Sequence, residues 1–155
     1  MAVEATFREL SKSLHKLHDA LNAVLLTVGD KPPSKESALA DDLEGTVLDT
    51  MGTLNEARKA ALSARRAVGD APDLDRARKE LTVCRERLHQ LEKELASGLA
   101  LSEKLEELLR LGSERGGEWR PWGDAVKRGI EQCREPLEQT SKALAACWQE
   151  LAERD

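Results

Sequence analysis

Tyrosine is absent from this sequence, phenylalanine occurs only at Phe7, and residues branched at Cβ are scarce. Strands favour aromatic and β-branched side chains because these pack well on a pleated surface. A chain that lacks them has little from which to build a sheet. The composition therefore argues against β structure, and the charged fraction of 34% is typical of a highly charged helical protein.

Long apolar runs are missing as well. No segment approaches the roughly 20 apolar residues that a membrane-spanning helix needs. The amino-terminal segment has an acid at Glu4 and no continuous apolar core, so we expect no signal peptide. The three cysteines are an odd number and give no disulfide framework. We therefore expect a cytoplasmic protein with no membrane partner, and its net charge of −5 gives no global attraction to nucleic acid.

What the sequence does contain is a long apolar stripe in residues 73–112. Its apolar or small residues are separated by alternating steps of three and four, with Ser102 at the one polar position. That spacing marks one face of a helix and is typical of coiled-coil packing. A helix with such a stripe is not stable alone in water, so the pattern predicts partner helices. The stripe consists of Leu74, Ala77, Leu81, Cys84, Leu88, Leu91, Leu95, Gly98, Leu105, Leu109 and Gly112.

The same alternation recurs in three other segments, which we predict to be helices at residues 3–28, 35–68 and 121–154. Glycine, proline and aspartate separate the segments, and short connections make consecutive helices antiparallel neighbours. The polar, glycine-rich segment from Gly112 to Gly117 is predicted to be the third loop. The chain is thus predicted to be all-α, as one domain over residues 1–155 that forms an up-down-up-down antiparallel four-helix bundle.

Two irregularities are expected within these helices. The third helix, if straight, would be about 58 Å long against about 40 Å for the first. Either the third helix breaks near Gly98 or its end protrudes. Glycine lowers helix stability by about 1 kcal/mol, so we expect a bend near Gly98. Pro136 removes a backbone hydrogen bond and clashes with the carbonyl group four residues earlier, which predicts a kink near Gln132.

Residues that could carry catalysis or hold a metal ion form no recognisable pattern. No GxGxxG, Walker, HExxH or GxSxG motif occurs. Cys133 and Cys147 lie about 21 Å apart along one helix, too far to share an ion, and free cysteine packs as a small hydrophobe. The ExxH pair of Glu86 and His89 lacks the inward carboxylates of di-metal bundles. We therefore predict a non-enzymatic protein without metal, cofactor or catalytic residues.

The most unusual stretch is the segment from Trp119 to Gly123, which holds two of the three tryptophans at a predicted loop-to-helix junction. Tryptophan is enriched in binding hot spots that have a polar rim. One interpretation is a partner site formed by Trp119, Trp122 and Arg120. The other is that the two rings plug an open end of the bundle.

Several leucines flank or leave the apolar stripes and would mark a partner site if they are exposed. They are Leu26, Leu48, Leu62, Leu99, Leu101 and Leu108. Together with the tryptophans they favour a protein–protein interaction module: an adaptor, a regulator or a small helical subunit of a larger assembly. Its partner would be another protein, and the sequence leaves open whether the chain also pairs with a copy of itself.

Arginines at the end of the second helix and the start of the third offer an alternative function. Arg65, Arg66, Arg78 and Arg85 would share a surface if those two helices are antiparallel neighbours. Clustered arginine binds phosphate backbones without a sequence motif. Acids such as Glu80 are interleaved, however, and aromatic stacking residues are absent there. The alternative hypothesis is a nucleic-acid-contacting small subunit of a ribonucleoprotein complex.

Overall fold

The chain is helical in every regular element of the residues that the computed structural model describes, which are 2–31, 38–69, 71–111 and 116–153. The helices are α1 (Ala2–Gly29), α2 (Ala38–Ala67), α3 (Leu74–Leu111), α4 (Gly116–Gln132) and α5 (Arg134–Ala152). Only Cys133 separates α4 from α5, so these two together correspond to the predicted fourth helix. The prediction of an all-helical chain in which four helices pack against one another is confirmed.

The predicted stripes supply the core. The stripe of α1 is buried along its whole length, and most stripe residues of the other helices are buried too. At the ends of α2, Ala40 and Ala67 are buried, whereas the neighbouring Leu39 and Val68 are partly buried.

When α4 and α5 are counted together as the fourth helix, each of the four helices has two neighbours. α2 packs most extensively against α3 and also contacts α1, whereas α4 and α5 both contact α1 and α3. Within the described residues α2 contacts neither α4 nor α5, and α1 does not contact α3. None of the helices in the described ranges is both long and apolar enough to cross a membrane.

Contacts between residues of neighbouring helices show the relative chain direction of those helices. The Arg76 guanidinium of α3 donates to Ser63 Oγ of α2 at 3.2 Å, and Thr53 Oγ1 of α2 donates to the Glu94 carboxylate of α3 at 2.6 Å. Numbers therefore rise along α2 as they fall along α3. The same reversal relates α3 to the α4–α5 segment in two pairs: Glu106 with Lys127, and Arg78 with the carbonyl of Leu151.

The start of α4 differs from the prediction. α4 begins at Gly116, so the predicted start at Pro121 was wrong and the two glycines at 116 and 117 are helical. Pro121 lies inside α4, in its second turn, so the carbonyl group of residue 117 lacks its usual N–H donor. The rest of the predicted loop, residues 112–115, lies outside the described residues, as does the predicted start of the second helix at residue 35.

Gly98 does not interrupt α3, which is continuous from Leu74 to Leu111. The alternative of a break there was wrong, and a bend of the helix axis stays a prediction. A Cβ atom at Gly98 would lie 3.3 Å from Ile130 Cδ1 and 3.8 Å from Thr46 Cγ2. Glycine therefore allows α3 to approach both α4 and α2 closely at this level, and the contacts offset its poor helix propensity.

The fourth helix is interrupted at Cys133, next to Gln132, where the sequence predicts a kink. Pro136 has no N–H to donate to the Gln132 carbonyl group. The Cys133 N–H instead bonds to the Ile130 carbonyl three residues back at 3.1 Å, and the Leu137 N–H bonds to the Cys133 carbonyl at 3.1 Å. Cys133 keeps right-handed helical angles, φ −75° and ψ −16°, so the interruption is one tightened turn. The kink of the axis stays a prediction.

Gly129 marks the closest approach of α4 to α1. A Cβ atom there would lie 2.8 Å from Val24 Cγ2 and 3.8 Å from Val24 Cα, so a methyl group does not fit without movement. Val24 is buried and its χ1 is stiff, which leaves it little freedom to move aside. Gly52 of α2 is the opposite case, because a Cβ there meets nothing within 4 Å.

We expect Gly129→Ala to destabilise the fold by about 1–3 kcal/mol through overpacking against Val24. Gly52→Ala, the matched control, should stabilise it by up to about 1 kcal/mol because alanine has the higher helix propensity. Thermal unfolding followed by circular dichroism checks both changes. Equal effects of the two substitutions would mean that α1 and α4 are not in close contact at Gly129.

Candidate functional site

The tryptophans predicted to bind a partner lie inside α4 and are buried. Trp119 is 6% exposed and Trp122 is 5% exposed. Their ring centroids are 5.5 Å apart with an interplanar angle of 88°, an edge-to-face contact that adds about 0.5–1.5 kcal/mol beyond area burial. Burial of both rings favours the interpretation that they close one end of the bundle. Binding of a partner by these rings stays a prediction.

Both Trp122 and Trp148 have a buried indole Nε1 with no hydrogen-bond acceptor among the described residues. An unpaired buried donor costs about 1–3 kcal/mol. The apolar body of the Trp122 ring, and not its polar edge, therefore holds it in place. Trp148 gains a second contact, since the Arg85 guanidinium carbon lies 5.4 Å from its ring centroid, within cation–π range.

Arg120, the third residue of the predicted partner site, is exposed. It lines a shallow depression between α3 and α4 in which the other described lining residues are acidic. Its charge therefore offsets part of a local negative field. The acidic residues of the depression are Glu103, Glu106, Glu107 and Asp124.

The four arginines of the alternative hypothesis differ in their contacts. Arg78 forms an ion pair with Asp75 at 3.3 Å, and Arg85 stacks on a tryptophan ring as described above. Arg65 and Arg66 are exposed in the last turn of α2, and neither has an ion pair within 4.0 Å among the described residues. Of these four arginines, only Arg65 and Arg66 therefore have guanidinium charges without an ion pair or ring contact among the described residues.

The cysteines are free and buried. Burial raises the pKa of Cys84 to about 12 and the pKa values of Cys133 and Cys147 to about 11, because the thiolate is poorly solvated there. The three thiols are therefore protonated at neutral pH and pack as small apolar groups. In the part of the chain that the structure describes, no three His, Cys, Asp or Glu side chains are grouped so that they could hold a metal ion.

A groove of about 520 Å³ with apolar walls lies between α3 and the α4–α5 segment and is called here the α3–α5 groove. One wall is a single face of α3, formed by Glu92, Leu95, Ala96 and Leu99 at helical spacing. The apolar part of the opposite wall is formed by Ile130 and Leu137. Leu95 and Leu99 are only partly buried, so apolar surface stays open to solvent in the groove.

The groove lies beside the interruption at Cys133. α4 contacts α3 somewhat more extensively than α1, whereas α5 contacts α1 more extensively than α3. The balance of contacts of the fourth helix therefore shifts from α3 towards α1 across Cys133. The groove spans the interruption, since Ile130 lines it on one side of Cys133 and Leu137 on the other.

Charged residues line the α5 side of the groove at its rim. In chain order they are Glu131, Arg134, Glu138 and Lys142, with Ser141 between the last two. All five of these residues are exposed. The rim thus alternates negative and positive charge around an apolar centre, the arrangement that is common in protein–protein interfaces.

The sequence predicts only part of this groove. It indicates Leu99 as a leucine beside the apolar stripe and Pro136 as the cause of a helix kink. The residues Arg134 and Glu138 were missed, because on a highly charged helix their exposure alone does not distinguish them. The available signal was the combination of an internal proline with a partly buried leucine face on the facing helix.

The leucines beside the stripes fall into two groups. Leu99 and Leu101 are partly buried, and Leu99 lines the groove. The others are exposed on separate helices, Leu26 most strongly at 67%. Single exposed leucines are common on soluble proteins, whereas the groove joins apolar residues of two helices. The remaining exposed leucines are Leu48, Leu62 and Leu108.

Comparison of the chain with protein-family models, with curated proteins and with solved structures gives no match. The functional assignment therefore rests on the geometry described above.

Trp122 offers a direct test of the end-plug interpretation. We expect Trp122→Phe to destabilise the fold much less than the alanine variant, because it keeps an aromatic ring and because removal of the unpaired N–H offsets part of the cost of the smaller side chain. Trp122→Ala should destabilise the fold by about 3–5 kcal/mol through the cavity it leaves. Chemical denaturation measures both. If Trp122→Ala unfolds like the unchanged protein, the ring is not part of the core.

Proposed function

We propose that this chain is a non-enzymatic protein–protein interaction module, an adaptor, regulator or small subunit, that binds its partner in the α3–α5 groove. The observation that carries the proposal is a solvent-open apolar groove between two helices with a charged rim. Apolar surface from Leu95, Leu99 and Leu137 would be covered on binding, and the rim would set orientation.

The shape of the groove suits a helix better than a small molecule. The α3 wall from Glu92 to Leu99 is two helical turns long, about 10 Å, and lies beside a second helix. An amphipathic helix can lie between two such helices with anchors spaced three and four residues apart. A small ligand usually needs a site that encloses most of its surface, and this groove is open to solvent.

The proposal includes two finer features of the fold and the location. We propose an up-down-up-down bundle in a single domain, supported by the reversed numbering along α2 and α3 and along α3 and α5. We also propose a cytoplasmic location, supported by cysteines that are free and buried in place of disulfides.

Ala96 provides the test of the groove. We expect Ala96→Lys to abolish capture of the protein partner, because a charged side chain then projects from an exposed position into the apolar groove. The experiment is affinity purification of the tagged chain from lysate of its native cell after nuclease treatment, with quantitative mass spectrometry. Ala23→Lys, the same substitution at an exposed position of α1, is the control and should leave capture unchanged.

Two results would contradict the proposal. One is a set of captured proteins that is the same with and without Ala96→Lys. The other is equal loss of capture with Ala96→Lys and Ala23→Lys, which would show an effect of added charge and not of the groove.

A second candidate function is nucleic-acid binding by the end of α2. It is favoured by the exposed pair Arg65 and Arg66, whose charges are not engaged by described acidic residues. Against it, Arg78 and Arg85 are held by contacts within the chain. On present geometry the second candidate would involve fewer phosphate contacts than the sequence predicts.

For this second function we expect Arg65→Glu combined with Arg66→Glu to weaken binding to single-stranded RNA. Loss of two phosphate contacts should also reduce the slope of log affinity against log salt by about 1.4. Fluorescence anisotropy at several salt concentrations measures both quantities. Lys12→Glu combined with Lys16→Glu, at exposed positions of α1, is the control with the same charge change; equal effects of the two pairs would exclude a specific patch.

A further inference from the structure

The charged residues on the α5 side of the groove alternate in sign. If a second copy of the helix runs in the opposite direction, each charge lies opposite one of the other sign. From Glu131 through Arg134 and Glu138 to Lys142 the signs are negative, positive, negative, positive. The steps of three and four residues keep them on one side of the helix. None of these four residues forms an ion pair within 4.0 Å among the described residues, and Glu131, near the end of α4, interacts with the Lys127 ammonium only at longer range. Each of the four can therefore still form an ion pair with a partner.

An antiparallel second copy would meet this order in reverse. A two-fold axis across the helix near Pro136 and Leu137 places Glu131 opposite Lys142 of the second copy. The same axis places Arg134 opposite Glu138 of the second copy. In a two-fold interface each contact occurs twice, so every carboxylate on this rim would face a cation.

The apolar centre of the groove lies at the same level as that axis. Leu137 belongs to the groove wall next to the axis, and Leu99 and Ala96 face it from α3. The aliphatic stem of Arg134 from a second copy could cover these leucines while its guanidinium stays at the rim. Apolar cover and charge pairing therefore call for the same antiparallel arrangement.

We propose that the partner in the α3–α5 groove is a second copy of this chain, bound through antiparallel contact of the two α5 helices about a two-fold axis near Leu137. The inference rests on the proposed function and names the occupant of the same groove. A foreign helix of one charge sign meets both signs in the groove, where Glu92, Glu131 and Glu138 lie with Arg134 and Lys142, so repulsion offsets much of the attraction. The chain itself supplies the matching alternation.

The test uses pairs of charge reversals in the purified full chain, studied by sedimentation equilibrium. The unchanged protein should form a dimer whose dissociation constant rises with salt. Arg134→Glu alone and Glu138→Arg alone should each weaken the dimer by about tenfold or more, because each places two symmetry-related pairs of like charges in contact. An equimolar mixture of these two variants should associate again as a one-to-one dimer.

The mixing step separates contact between copies from effects within one helix. In the mixture each chain still has like charges at positions 134 and 138 of its own helix, so recovery of the dimer can only come from pairing between chains. Both positions are exposed, so both variants should fold, and circular dichroism verifies this. Lys59→Glu on α2, which does not contact α5, is the control and should dimerise like the unchanged protein.

The inference is overturned if the unchanged chain is monomeric at all concentrations, or if the two variants fail to associate when mixed. Either result leaves the proposed function standing when Ala96→Lys still removes a captured protein other than this chain. If Ala96→Lys leaves capture unchanged while the charge variants behave as expected, the broader adaptor role fails and self-association remains.

Discussion

Each long helix of this chain has an apolar stripe along one face, and none can bury that stripe without its neighbours. The whole fold depends on this constraint. Burial of the stripes brings α2 against α3 and the fourth helix between α1 and α3. The second half of α2 uses alanine where other helices use leucine, so α3 can approach it closely and the two form the most extensive helix pair. Gly98 and Gly129 permit two further close approaches, to α4 and to α1 respectively.

The one departure from regular packing coincides with the candidate site. A proline in the fourth helix leaves the Gln132 carbonyl without its usual donor, and the helix is interrupted at Cys133. Both parts of the fourth helix contact α1 and α3, but α4 contacts α3 more and α5 contacts α1 more. A groove with apolar walls lies between α3 and the fourth helix at this level. A local backbone irregularity thus coincides with an open apolar groove, while the core on the other side of the helix stays closed.

Periodicity predicted the helices and most of the core, because burial of a stripe is a property of each segment alone. It did not predict the start of α4, since Gly116 looks like a loop residue until helix packing stabilises it. The candidate site was predicted less well. Trp119 and Trp122 stood out by residue type, yet their burial depends on how the helix ends meet, which the sequence does not express. The groove depends on the relation between two helices, and exposed residues such as Arg134 carry no signal of it.

The central claim is that Pro136 directs α5 away from α3 and so opens the groove. The double variant Ala96→Cys with Ser141→Cys places nitroxide labels at exposed positions on the two sides of the groove. Pulsed electron–electron double resonance then measures the distance between the labels, which reports the width of the groove. The native cysteines are buried with raised pKa values and should not take the label. Dilution with unlabelled chain removes distances between copies. If Pro136 directs α5 away from α3, adding Pro136→Ala should shorten the label-to-label distance. An unchanged distance would contradict this role of Pro136.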